Sequence, residues 1–232
     1  MQRRSRERER RPDNLEKNMR ETSVTIAEGE ITLEALHQAG NGSDAAIICH
    51  PHPLYGGSME NNVVSVLQTV LAKWGWETLR FNFRGVGGSG GQYDGGRGEV
   101  EDVLSAVAYL SARGVKTIHL AAYSYGVWVG LQALQKGLQP GSAILISPPL
   151  DFLDFAGLRL PVVPCLITAG ERDSFCAAGS LDGWLASQEA ERKNLCVRVL
   201  PGCDHFYWNR EGLLSSTVLE FLQLHLPPRP AG

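Results

Sequence analysis

Six short apolar runs rich in β-branched residues recur along the chain, with stretches of helical spacing between them. The runs are Ala45–Cys49, Thr78–Phe83, Thr117–Ala122, Ala143–Ser147, Val162–Thr168 and Leu195–Leu200. Their length and composition are those of buried strands. Val63, Val64, Leu67, Val70 and Leu71 fall on one face of a helix, and Val100, Val103, Leu104, Val107 and Leu110 on one face of another. Leu131–Leu138, Leu181–Ala190 and Leu213–Leu224 are further helical stretches. Strands alternating with helices imply βαβ units, so the expected fold is α/β: a three-layer α/β/α sandwich on a mostly parallel sheet. Ser23–Ala27 and Ile31–His37, joined by Glu28-Gly29-Glu30, read as an antiparallel hairpin at the sheet edge.

A chain of 232 residues, 43% apolar and 20% charged, suffices for one core, and neither a repeat nor a linker divides it. Residues 1–22 stand apart, with eight Lys/Arg against five Asp/Glu. They are expected to be a solvated, disordered tail ahead of a single domain at 23–228. A basic binding arm, or a true start at Met19, are the alternatives. The net charge of −3 points to neither nucleic acid nor an anionic membrane as partner. No apolar run approaches the roughly 18 residues of a membrane span, and no apolar signal region follows the charged start. The expectation is a cytoplasmic protein with neither cofactor nor metal. Cys49, Cys165, Cys176, Cys196 and Cys203 form no paired spacing and suit buried thiols in a reducing compartment. The five tryptophans suit core or interface equally, which leaves the oligomeric state open.

In such a sheet, ligands bind beyond the carboxyl ends of the strands, so reactive residues belong in the loops after the apolar runs. Ala122-Tyr123-Ser124-Tyr125-Gly126 follows one run and leads into a helical stretch. A serine at a strained strand-to-helix turn between small residues is a nucleophile elbow. Alanine replaces the usual first glycine here, which adds one methyl. A serine hydroxyl needs a base, and the base needs an orienting partner. His205 follows the last run, and Asp173, with Glu171 as rival, follows the one before. The order Ser124, Asp173, His205 leaves room for strand–helix units between them.

From about residue 45 to 225 the chain resembles the α/β-hydrolase superfamily. More narrowly it resembles small, lid-poor hydrolases bearing a His-Pro-His-Pro motif, near the dienelactone-hydrolase and prolyl-oligopeptidase-like branches. The matching stretches are Cys49-His50-Pro51-His52-Pro53-Leu54-Tyr55-Gly56-Gly57, Arg84-Gly85-Val86-Gly87-Gly88-Ser89, the elbow, Gly170-Glu171-Arg172-Asp173 and Gly202-Cys203-Asp204-His205-Phe206. The dienelactone hydrolases use a cysteine nucleophile where this chain has Ser124. The resemblance implies that the loop after Cys49 is an oxyanion loop. Tyr125 would then give one backbone N–H and His52, or else Leu54, the other, because prolines 51 and 53 have none. Hydrolysis of a small carboxylic ester through an acyl-serine is implied, with amide, thioester or short-peptide bonds as alternatives.

Gly85-Val86-Gly87-Gly88-Ser89-Gly90 spells a dinucleotide-binding pattern, but another loop, Gly91 to Gly98, intervenes before any helix, and the acid of a second strand is missing. A flexible wall near the active site is the preferred reading. Between Ser147 and Val162, where many relatives insert a lid, Leu150, Phe152, Leu153, Phe155 and Leu158 form either a minimal flap or ordinary core. Two other classes remain as rivals: a metal-dependent hydrolase using His50 and His52, and a binding module that kept the fold without catalysis.

Overall fold

The structure, a computed structural model, describes residues 20–188 and 194–226. Most of the expected tail (1–19), the end of the Leu181–Ala190 stretch (189–190) and positions 227–228 lie outside the described residues. Among the described residues there are eight strands: β1 (Thr22–Glu28), β2 (Ile31–Gln38), β3 (Asp44–Cys49), β4 (Glu77–Phe81), β5 (Thr117–Tyr123), β6 (Ala143–Ile146), β7 (Cys165–Gly170) and β8 (Leu195–Leu200). Five helices accompany them: α1 (Asn62–Trp74), α2 (Arg97–Ala112), α3 (Tyr125–Gln135), α4 (Ala178–Ala186) and α5 (Glu211–His225). One sheet holds all the strands in the order β1-β2-β4-β3-β5-β6-β7-β8. β1, β2 and β4 pair antiparallel, and every other neighbour is parallel. The fold is therefore the expected mostly parallel α/β sandwich with the hairpin at its edge.

Strand periodicity divides the core into two layers. Ala45, Ile47 and Cys49 face a cluster shared with Val100, Val103 and Val127, from α2 and α3. Ala46 and Ile48 face the opposite cluster, which holds Val63, Leu67, Leu214 and Phe221 from α1 and α5. Successive residues of a strand point to opposite faces, so a central strand covered by helices on both sides must be apolar throughout. All five cysteines are free and buried, as the apolar setting of Cys49, Cys165 and Cys196 implied. None of the helices among the described residues is long and apolar enough to cross a membrane.

Several boundaries differ from the sequence reading for local reasons. The tail gives way to structure before residue 23. Thr22 pairs with His37 in β1, and the Glu21 carboxylate takes two hydrogen bonds from Arg80, at 2.7 and 2.6 Å. β4 stops at Phe81 because the Phe83 N–H turns away to a histidine ring. β7 begins only after Pro164, leaving Val162 68% exposed. α3 starts well before Leu131, immediately after the serine turn, and is over before Gly137, which has φ 105°. The glycine-rich loop is pinned rather than flexible. Its Gly88 N–H donates to Glu34 Oε2 at 2.7 Å, Gly90 N–H bonds the Thr32 carbonyl, and Ser89 Oγ bridges the Glu34 N–H and the Asn82 carbonyl.

Candidate active site

Strand order reverses around β3. The chain leaves β3 through α1 to β4 on one side, then returns through α2 to β5 on the other. Ligands of open α/β sheets bind in the crevice at such a switch point. Here the loop beginning at His50 and the turn at Ser124 flank that crevice, since Cys49 and Ala122 are register partners at the carboxyl ends of β3 and β5.

Ser124 occupies φ 55°, ψ −121° between β5 and α3. An L-residue is rarely found there, and the conformation persists only where the surroundings enforce it. They do so through the Ser124 N–H, which bonds the Ile146 carbonyl at 2.9 Å, and the Ser124 carbonyl, which accepts the Val127 N–H at 2.8 Å. Gly126 lets the helix lie against the neighbouring strand: a Cβ there would stand 2.5 Å from the Cys49 carbonyl oxygen and 2.8 Å from that of His50. Ala122 is fully buried, so its methyl is accommodated.

Ser124 Oγ lies 2.9 Å from His205 Nε2, and His205 Nδ1 lies 2.9 and 3.0 Å from the two oxygens of Asp173. The three residues come from the carboxyl ends of β5, β7 and β8, and each is at most 7% exposed. Burial alone would raise the Asp173 pKa, but the hydrogen bond and charge of His205, the Ser147 hydroxyl and the Phe175 N–H together hold it below the ordinary carboxylate value. Asp173 Oδ1 accepts that N–H at 2.9 Å and the Cys176 N–H at 3.1 Å. An ionised carboxylate therefore faces the ring, fixing the tautomer with Nδ1–H and leaving Nε2 to accept from the serine. The arrangement can take a proton from Ser124 and hold the resulting positive ring. Glu171, the rival acid, is exposed, and its carboxylate accepts the Gly202 N–H at 2.9 Å.

No family model matches the chain. It is 31% identical over 203 residues to the uncharacterized protein RP471 of Rickettsia prowazekii, an alignment covering 84% of this chain and 85% of that protein. Among solved structures, it superimposes on an α/β serine hydrolase homologue from Coxiella burnetii with a TM-score of 0.80 and 31% identity, covering 87% of this chain and 97% of the other. The chain belongs to the α/β-hydrolase superfamily. XC6422 from Xanthomonas campestris, an α/β serine hydrolase without a lid, matches with a TM-score of 0.82 and 28% identity over 91% of this chain and 98% of its own.

Among the described residues, no lid domain is inserted between β6 and β7, which only the 147–164 stretch connects. The 148–161 segment divides between the two roles considered for it. Phe155 and Leu158 are buried in the core, and Trp128 Nε1 and Gln135 Nε2 tie the segment to α3 through the Asp154 and Gly157 carbonyls at 2.7 and 2.9 Å. Phe152 alone of the five is 45% exposed, with its ring centroid 6.1 Å from that of His52.

Within the His-Pro-His-Pro loop the two histidines part company. His50 is fully buried, donating from Nδ1 to the Pro51 carbonyl at 2.6 Å and accepting the Phe83 N–H at Nε2 at 3.0 Å. Both ring nitrogens are spent, so His50 has no lone pair for a metal, and the metal-dependent reading of His50 and His52 is withdrawn on that geometry. His52 caps the short 3₁₀ turn Pro53–Tyr55, where its Nδ1 accepts the Leu54 N–H at 3.2 Å. Burial lowers the His52 pKa against the opposing charge of Glu99, which keeps the ring neutral and able to accept. Leu54 is thereby corrected as a candidate oxyanion donor, because its amide is engaged inside the turn. Tyr125 is the first residue of α3, where an N–H has no intrahelical acceptor.

Three supporting residues escaped the sequence reading. The Tyr123 hydroxyl, one residue before the serine, donates to the His205 carbonyl at 2.8 Å. Ser147 Oγ and the Tyr207 hydroxyl meet at 2.7 Å behind Asp173, both residues fully buried and both left-handed, at φ 48° and 56°. The legible signals were positional: Ser147 closes the Ala143–Ser147 run, and Tyr207 lies two residues beyond the histidine.

Proposed function

We propose that this α/β hydrolase cleaves a small carboxylic ester through an acyl-serine intermediate, with Ser124 as nucleophile, His205 as general base and Asp173 as the group that orients it. The single observation carrying this reading is the unbroken hydrogen-bonded line from Ser124 Oγ through His205 to Asp173. Neutral His205 takes the Ser124 proton at Nε2 as Oγ attacks the ester carbonyl. The oxyanion of the tetrahedral intermediate is held by the backbone N–H groups of Tyr125 and His52. His205 returns its proton to the departing alkoxide oxygen, and the alcohol leaves. Water then attacks the acyl-serine with the same base, releasing the acid and restoring Ser124.

Labelling with a fluorophosphonate followed by peptide mapping tests the mechanism. Modification at Ser124, abolished in Ser124→Ala and strongly slowed in His205→Ala, is the expected result. A folded protein that takes no label at Ser124 would overturn the reading and leave the non-catalytic alternative. Turnover of short-chain esters in preference to matched amides and thioesters tests the bond type.

A further inference from the structure

Resting on the ester-hydrolase reading above, we infer that the site selects esters carrying an aromatic ring. The observation is an arc of rings around the Ser124–His205 pair. It runs from Phe206 to Phe175 (6.4 Å between centroids, 82° between planes), on to Phe152 (5.8 Å, 88°), Tyr55 (5.8 Å, 73°) and His52 (4.8 Å, 68°). His205 lies inside it, 4.7 Å from Phe175 and 5.6 Å from Phe206. The arc thus spans from the proposed base to the proposed oxyanion loop.

Its members contact one another edge to face, yet Tyr55, Phe152 and Phe206 remain 74%, 45% and 49% exposed. Large rings held together at a surface, beside a reactive group, mark a binding face rather than chance exposure. Edge-to-face rings offer positive edges to a negative aromatic face, an attraction that a saturated ring of equal size lacks. The 148–161 segment is tied down on α3, and of its large apolar residues only Phe152 is exposed beside the arc. A single planar ring close to the scissile bond fits this arc better than an extended chain.

The ring can belong to the acyl part or to the alcohol part, and two matched pairs of esters separate these. Methyl 3-phenylpropanoate is compared with methyl 3-cyclohexylpropanoate, and benzyl acetate with cyclohexylmethyl acetate. The expected result is kcat/KM about 2- to 10-fold higher for the aromatic member of at least one pair, the size of an aromatic contact beyond simple burial. That ratio should fall towards one in Phe152→Leu, which keeps apolar volume at a half-exposed position while removing the ring. Ser124→Ala, titrated with the same esters, should bind the aromatic member more tightly without turnover. Ratios near one in both pairs, or a ratio unchanged by Phe152→Leu, would overturn the inference while Ser124 labelling leaves the hydrolase standing. Absence of both labelling and ester turnover would overturn the two together.

Discussion

Acidification should loosen the His50 loop before it affects the rest of the core, and the size of the effect follows from how that ring is held. His50 is fully buried with both nitrogens engaged, and its Nε2 must stay unprotonated to accept the Phe83 N–H. Burial lowers its pKa to about 4, with the Pro51 carbonyl opposing and the charge of His52 adding to the fall. An unfolded chain protonates the same ring near pH 6.5. Between those values the unfolded state binds more protons, so stability decreases as pH falls. At about 1.4 kcal/mol per decade, the neutral ring contributes of the order of 3 kcal/mol above pH 6.5. That contribution is lost progressively down to pH 4. Urea unfolding from pH 8 to pH 4 measures the slope, and His50→Asn, which cannot titrate there, isolates the histidine from the carboxylates that also respond. The wild type should lose about 3 kcal/mol more than the variant across this window. Nitrogen NMR of the ring gives a direct check, with an Nδ1–H tautomer and a midpoint near 4. Parallel slopes, or a midpoint near 6.5, would refute the two-sided clamp on this ring.

Asp173→Asn should reduce kcat by about four orders of magnitude, since an amide N–H facing Nδ1 forces the proton to Nε2 and removes the base. Glu171→Gln should change kcat less than twofold, and a larger loss there would reverse the assignment of the acid. Gly126→Ala should destabilise the protein by about 1–3 kcal/mol or more, read as a lower urea midpoint at unchanged slope, because the added methyl meets only backbone atoms at 2.5–2.8 Å. Tyr207→Phe should cost about 1–3 kcal/mol by stripping a buried partner from Ser147, and an unchanged midpoint would show that Ser147 is satisfied without it.

Much of this site was legible because chemistry and fold leave their marks in the same places. The alternation of apolar runs located every strand from β3 to β8, and the loops after them held Ser124, Asp173 and His205. Boundaries slipped where a single side chain or proline intervened, at Phe83 and Val162. The glycine-rich loop misled for a different reason. Its glycines suggested freedom, while the residue that pins them, Glu34, lies on another strand some 50 positions earlier. The same distance hid the second role of His50, whose partner Phe83 is 33 residues away. Ser147, Tyr207 and the ring arc depend on side-chain orientation across elements, which periodicity does not encode.

The order of the strands explains why those hidden residues are needed. β6 separates β5 from β7, so the serine and the acid stand two strand spacings apart, roughly 10 Å at the carboxyl edge. His205 arrives from beyond β8 and must span that gap, which a free loop would not do with a fixed ring. Two hydroxyls anchor the loop instead. Tyr123, the last residue of β5, holds the His205 carbonyl, and Ser147, immediately after the intervening β6, holds Tyr207. Asp204 Oδ1 closes the turn between these anchors by accepting the Phe206 and Tyr207 N–H groups at 3.0 and 3.1 Å. Each anchor comes from a strand end next to a residue the proposed chemistry uses: Tyr123 precedes the nucleophile, and Ser147 backs the acid. Ser124 and His205 are therefore registered to one another through the sheet, and the left-handed backbones of Ser124, Ser147 and Tyr207 are where that registration is enforced.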